Sequence, residues 1–228
     1  VLDWRIVFWI IVALGLVNLL GLIFITPNYK NGEVPKISTE LTALKDKNVI
    51  MLIITIVFGY SGVFTAYTFL EPMLREIANM SDLGVTFSML MFGTFAVIGN
   101  FSAGNVQPGK LTGAVTLVIL FLAIVLLSFT FMLQVPYLAY IAAGLFGLGT
   151  FGISPMLNAK IIFAAITAPA LAGTLAASVF NLSNAIGAYL GSTLLAQQFS
   201  YTSITFIAGG MLIFGAICMV ATHFIEDK

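Results

Sequence analysis

Few side chains in this sequence can do chemistry, and those that can are suited to holding a molecule rather than breaking one. Tyr60, Phe64, Tyr67 and Glu71 recur at spacings of four, three and four, which places them on one helix face, with Thr65 in the same segment. Tyrosines along such a face stack against an amphipathic solute and offer hydroxyls to hydrogen-bond it. Tyr67, four residues before Glu71, also fits an interfacial anchor, and Tyr60, lying deeper, fits either a cavity contact or ordinary helix packing. A second group divides into two neighbouring stripes: Gly173, Ala177, Phe180, Asn184, Gly187 and Gly191, beside Thr174, Ser178, Asn181, Ala185, Ala188 and Ser192. The small residues permit close helix contact, while Asn181 and Asn184 supply donors and acceptors to a ligand or to another helix. Neither amide changes charge near neutral pH, so neither can carry a proton.

Enzyme chemistry finds little material. His223 has no H-E-x-x-H and no compact group of carboxylates around it, and Lys110 after Pro108-Gly109 lacks the Ser or Thr of a phosphate-binding loop. A single cysteine, Cys218, excludes a disulfide framework and a cysteine metal cluster. No catalytic residue, metal or cofactor is expected. Nine Lys and Arg balance nine Asp and Glu, with no basic stripe to grip nucleic acid.

The elements that must position these residues are membrane helices. Of 228 residues 60% are hydrophobic and 8% charged, with a mean hydropathy of +1.09. Ordinary globular chains carry about 25% charged residues. The apolar material falls into seven blocks, near 6–25, 49–70, 85–104, 111–132, 137–156, 171–196 and 203–224. Each approaches the ~20 residues a helix needs to cross the bilayer, and none alternates as a barrel strand would. The chain is therefore expected to form an all-α, polytopic membrane bundle with seven transmembrane helices, because lipid cannot satisfy exposed backbone groups.

The spans are unequal. The fourth, with eleven consecutive apolar residues over 117–127, reads as a helix largely surrounded by lipid. The second and sixth hold Thr55, Tyr60, Ser61, Thr65, Tyr67 and Thr68, and Thr174, Ser178, Asn181, Asn184 and Ser192, so they should face protein or a wet cavity. The third carries Gly93, Ala96, Asn100 and Ala103 at helical spacing. In the fifth, Gly144, Gly147, Gly149 and Gly152 precede Ser154-Pro155. Glycine permits close approach and proline removes a backbone hydrogen bond, so Gly149, Gly152 and Pro155 mark either a gate or a fixed kink.

Orientation is set by lysine and arginine. With the first connection in the cytoplasm, Lys30, Lys36, Lys45, Lys47, Lys110, Lys160 and Lys228 share that side, and only Arg5 and Arg75 face out. The C-terminus is then cytoplasmic. The connection 26–48 is long and polar, with seven charged residues between Lys30 and Lys47, and 38–45 has the pattern of a short surface helix. Such a connector joins two bundles, or is simply a long loop. The first block lacks the features of a signal peptide, and an opening as abrupt as Val1-Leu2-Asp3-Trp4-Arg5 suggests the tail of a longer chain.

Several stretches resemble the C-terminal part of a major facilitator superfamily transporter, in the bacterial twelve-helix drug:proton antiporter group that includes arabinose-type sugar and nucleoside efflux permeases. Asp3-Trp4-Arg5 resembles the turn into helix six, the 40–48 stretch the linker into helix seven, and the 59–72 stretch helix seven itself. The 92–104 and 176–191 stretches resemble helices eight and eleven. The resemblance implies that 1–29 is the last helix of an N-terminal bundle, 30–48 a cytoplasmic interdomain linker, and 49–228 the C-terminal six-helix bundle. It implies helices seven, eight, ten and eleven around a central cavity, and nine and twelve outside it. After Gly104 the family's Asp-Arg-type loop is replaced by Asn105-Val-Gln-Pro-Gly-Lys110, which weakens a charge-relay role and leaves Gly104 and Lys110 as gate-shaping residues.

The function these features imply is a secondary transporter, a proton-coupled exporter of a small organic solute such as a drug, sugar or nucleoside, in the bacterial inner membrane. Tyr60, Thr65, Tyr67, Asn181 and Asn184 are its expected substrate contacts. No charged residue lies in the middle of a span, so the coupling proton falls to Glu71 or to a missing N-terminal half, or coupling is absent. The alternative is a membrane receptor or accessory subunit that moves no solute.

Overall fold

The structure, a computed structural model, describes residues 4–26, 44–166 and 168–226, with side chains for all of these except 4, 169, 170 and 223–226. Asp3, Pro27, most of the expected 38–45 surface helix, the greater part of the 30–48 linker and Lys228 lie outside the described residues, as does the His223 side chain. All regular structure among the described residues is helical, and seven helices are long and apolar enough to cross a membrane. The chain divides into two units, Val1–Pro35 and Lys36–Lys228. The first holds helix α1 (Trp4–Ile25).

The second unit holds the other six spans. The first of them is built from α2 (Lys47–Thr55), a π-helical turn (Ile56–Tyr60), α3 (Ser61–Tyr67) and α4 (Leu70–Glu76). Single helices come next: α5 (Asp82–Gly104), α6 (Leu111–Leu133), α7 (Pro136–Ala164), α8 (Pro169–Ala196) and α9 (Tyr201–Glu226). Their starts are written locally. The Asp46 carboxylate accepts from the backbone N–H groups of Asn48 at 2.7 Å and Val49 at 3.4 Å, and Ser81 Oγ accepts from Gly84 N–H at 3.3 Å. These side chains satisfy donors the first turn cannot pair. Pro136 and Pro169 open α7 and α8, where a missing N–H costs nothing.

In space α8 packs on the π turn and α3. The second span packs on α9, α9 on α6, α6 on α7, and α7 on α5. Lipid is as apolar as leucine, so these contacts depend on close approach rather than on exclusion of water. Glycine supplies the approach. A Cβ at Gly147 of α7 would run into the Phe92 carbonyl of α5, and one at Gly99 of α5 into the Leu148 carbonyl of α7.

The fourth span, α6, departs from its expected lipid setting. Leu111, Val115, Ile119, Leu122, Leu126, Phe129 and Leu133 are all buried, and Leu122 lies against Gly149 of α7. Composition cannot separate a lipid contact from a contact with another apolar helix. The small residue that admits Leu122 is on a different span. α7 also runs further than its apolar block, to Ala164. Lys160, expected in a loop, therefore sits on the last turns of a helix and is buried.

Candidate functional site

Most hydroxyls in the second span are already committed. Thr55 Oγ1 donates to the Met51 carbonyl at 2.9 Å, Thr65 to that of Ser61 at 2.9 Å and Thr68 to that of Phe64 at 2.8 Å, while Ser61 donates to that of Val57. Bonding four residues back is how Ser and Thr satisfy themselves in an apolar helix. Thr65 is fully buried, and a Cβ at Gly187 or Gly191 of α8 would press on its backbone. The structure therefore places Thr65 in the α3–α8 contact, apart from the other expected substrate contacts.

What remains available are rings and amides. Tyr60 is 6% exposed, with its ring 4.8 Å edge-on to Phe180 of α8 and 5.6 Å from Phe64. Its hydroxyl lies close to Ser154 of α7. The ladder continues from Phe64 to Tyr67 at 5.4 Å, from Tyr67 to Phe92 of α5 at 5.5 Å, and from Phe92 to Phe151 of α7 at 6.1 Å. Tyr67, at 40% exposure, and Phe151, at 38%, are its open rungs. Aromatic rings from four spans thus form one connected surface.

Asn184 and Asn181 occupy different positions on α8. The Asn184 side-chain oxygen is buried with no hydrogen-bond partner. It lies one turn beyond Phe180, which meets Tyr60, and before Gly187, where a Cβ would press on Phe64. Asn181 is exposed, whereas Ala172, Ala176, Val179, Ser183, Gly187 and Gly191 make up the buried face of α8. The packing stripe is thus displaced from the expected one and includes Ser183. An unpaired buried amide oxygen costs free energy of roughly 1–3 kcal/mol unless something supplies a donor.

The π turn was not legible. One extra residue per turn loosens the helix at Ile56–Tyr60 and places Tyr60 at its end. Gly59 and Gly215 of α9 press together there, since a Cβ on Gly215 would lie 2.7 Å from the Gly59 Cα. Ser183 Oγ of α8 reaches the Ile56 carbonyl at 3.1 Å and its own Val179 carbonyl at 2.8 Å. Sequence pattern gives no signal for this arrangement, because the hydroxyl is remote along the chain. Phe180 and Ser154 were visible only as members of a stripe and a bend.

Gly149 and Gly152 are buried contact positions, against Leu122 and Gly99 respectively, and α7 continues through Pro155 without interruption. Gly104 has open space where a Cβ would sit. Lys110 lines a cavity of about 1350 Å³ at one end of the bundle, with Asn48, Asn105, Gln107, Thr112 and Lys160 among its walls. There Lys160 Nζ donates to Thr112 Oγ1.

At the second span's other end, Arg75 pairs with Glu71 and, at 2.7 Å, with Asp82, and the Tyr201 hydroxyl donates to Glu76 at 3.0 Å. Glu71 is thereby held in an exposed clasp outside the aromatic ladder. Among the described residues no group of three His, Cys, Asp or Glu could hold a metal ion.

The model of the Major Facilitator Superfamily matches residues 1–175. The chain is 38% identical to an uncharacterized MFS-type transporter, YfhI, of Bacillus subtilis (strain 168), covering 100% of this chain and 57% of that protein. It is 28% identical to the inner membrane transport protein YdhP of Escherichia coli (strain K12), over 89% of this chain and 52% of the other. A probable sugar efflux transporter of Helicobacter acinonychis is 25% identical, over 100% and 57%. The chain thus spans a little over half the length of these relatives.

Proposed function

Since the chain belongs to the Major Facilitator Superfamily, we propose that it supplies the C-terminal bundle, and one further helix, of a secondary transporter exporting a small organic solute across a bacterial inner membrane. In this reading 1–29 completes an N-terminal bundle, 30–48 is the cytoplasmic linker and 49–228 is the C-terminal bundle. The observation that carries it is the surface formed by Tyr60, Phe64, Tyr67, Phe92, Phe151 and Phe180, with the unpaired oxygen of Asn184 beside it. Rings with a few directed polar groups suit a neutral amphipathic solute, such as a sugar, a nucleoside or a drug with an apolar face.

Transport then proceeds by rocking two bundles about a site near the bilayer midplane. Tyr60 and Asn184 hold the solute, and Tyr67 and Asn181 meet it from the exposed faces. Ser154, close to the Tyr60 hydroxyl, precedes Pro155, so bending of α7 there would change the surroundings of that hydroxyl. Lys110 and Gly104 shape the cytoplasmic gate. Protons drive the exchange, and the proton-carrying group belongs to the N-terminal bundle, because Glu71 is engaged by Arg75.

One labelling series tests both the path and its orientation. In a cysteine-free complete transporter, single cysteines are placed at Lys45, Arg75, Lys110, Asn181 and Ile124. An impermeant thiol reagent on intact cells is expected to label position 75 and spare 45 and 110, from the lysine asymmetry. N-ethylmaleimide, which needs thiolate and hence water, is expected to label 181 at least about tenfold faster than 124, an apolar position 66% exposed on α6 and outside the Lys110 cavity. Labelling at 45 or 110 from outside overturns the orientation, and equal rates at 181 and 124 overturn the water-filled path.

A further inference from the structure

We infer that Ser183 is a positioning residue for Tyr60: its hydroxyl holds the π turn of the second span open, and transfer of its single hydrogen bond lets that turn close and carry Tyr60 away from Phe180. The inference rests on Tyr60 being a solute contact and assigns a role to a residue that touches no solute.

Ser183 is fully buried, and its one proton faces two carbonyl oxygens, Ile56 at 3.1 Å across the helix contact and Val179 at 2.8 Å on its own helix. A hydroxyl has one proton to donate, so it serves one of the two fully at any moment. The hydroxyls of Thr94 and Ser102 bond their own i−4 carbonyls, as is usual in an apolar helix. Ser183 also reaches a backbone carbonyl of another span, and that carbonyl lies at the first residue of the π turn.

A π turn leaves backbone carbonyls poorly served by their own helix, and an outside donor lowers that cost. When the proton lies on Val179, regular α-helical bonding becomes the better arrangement for 56–60. Removing one residue from a turn rotates the C-terminal segment by about 100° relative to the N-terminal one. Tyr60 is at the end of the turn, and its contact with Phe180, three residues before Ser183 on α8, exists in the π register. The Gly59–Gly215 contact, backbone against backbone, supports the same register from α9.

The test uses the complete transporter and two readouts that need no transported solute, so its failure is separate from failure of the transport reading. Backbone hydrogen exchange over 55–61 is expected to quicken about fivefold in Ser183→Ala, as loss of one buried hydrogen bond of roughly 1 kcal/mol implies. Exchange over α6 should stay unchanged, and Ser183→Thr, which keeps the hydroxyl, should restore the original rate. A cysteine replacing Tyr60 should react with N-ethylmaleimide about fivefold faster in the Ser183→Ala background, while one replacing Ile124, exposed on α6, reacts at the same rate in both. Unchanged exchange over 55–61 overturns the inference, as does equal acceleration at 60 and 124, which would indicate general loosening.

Discussion

Gly147→Val is expected to remove most of the folded protein from the membrane. The seam between α5 and α7 is made of backbone on backbone: a Cβ at Gly147 would collide with the Phe92 carbonyl and lie 3.1 Å from the Phe92 Cα. Backbone cannot swing aside as a side chain can, so the helices must separate. Separation also loosens the reciprocal contact, where a Cβ at Gly99 would lie 3.0 Å from the Gly152 backbone nitrogen. Overpacking at one site costs about 1–3 kcal/mol, and a rigid obstacle along a whole seam falls at or beyond the upper end. The matched control is Gly210→Val on α9, where a Cβ would meet nothing within 4 Å. Membrane abundance and thermal unfolding of the detergent-solubilised protein are the measurements. Wild-type values for Gly147→Val would mean that α5 and α7 do not pack as described.

Tyr60→Ala is expected to reduce transport, normalised to abundance, by about tenfold or more. The change removes an edge-on contact with Phe180, a tilted one with Phe64, and a hydroxyl close to Ser154 that can hydrogen-bond the solute. Aromatic pairs contribute about 0.5–1.5 kcal/mol and a hydrogen bond about 1 kcal/mol, and each 1.4 kcal/mol is tenfold. Tyr60→Phe separates the two contributions by retaining the ring and should lose about fivefold. Asn181→Ala should also impair transport. The control is Ile124→Ala, because Ile124 is 66% exposed on α6 and outside the Lys110 cavity, whereas Leu122 is fully buried on Gly149 and would report packing. Equal impairment by Tyr60→Ala and Ile124→Ala would remove Tyr60 from the solute path.

The spans were legible because length and apolarity answer to bilayer thickness alone. Which side of each span meets protein was legible only in part. Gly187 and Gly191 marked a true contact because small residues are needed wherever backbones approach. Leu122 gave no mark, since the residue that accommodates it is Gly149 on α7. Polar residue type was a poor guide to availability: Thr65 reads as a ligand group, yet its hydroxyl turns to the Ser61 carbonyl. Asn184 was selected by type as well, and its oxygen is a buried acceptor left unpaired beside the ring ladder. The π turn escaped entirely because its partner, Ser183, reaches it across the bundle. Lys160 was misplaced for a simpler reason: the apolar block ends at Met156, short of the lysine, whereas α7 continues to Ala164 and buries that lysine beside Thr112.

The central claim is that this chain carries one side of a solute path which a second bundle must complete. Its most direct test is reconstitution of the 228-residue chain and the complete two-bundle transporter in liposomes at matched orientation, with an imposed pH gradient and uptake measured over sugars, nucleosides and lipophilic cations. The complete transporter is expected to accumulate at least one of the neutral solutes only while the gradient lasts, and the short chain to accumulate none. Gradient-driven uptake by the short chain at a comparable rate would contradict the claim, as would a complete transporter that moves none of the panel.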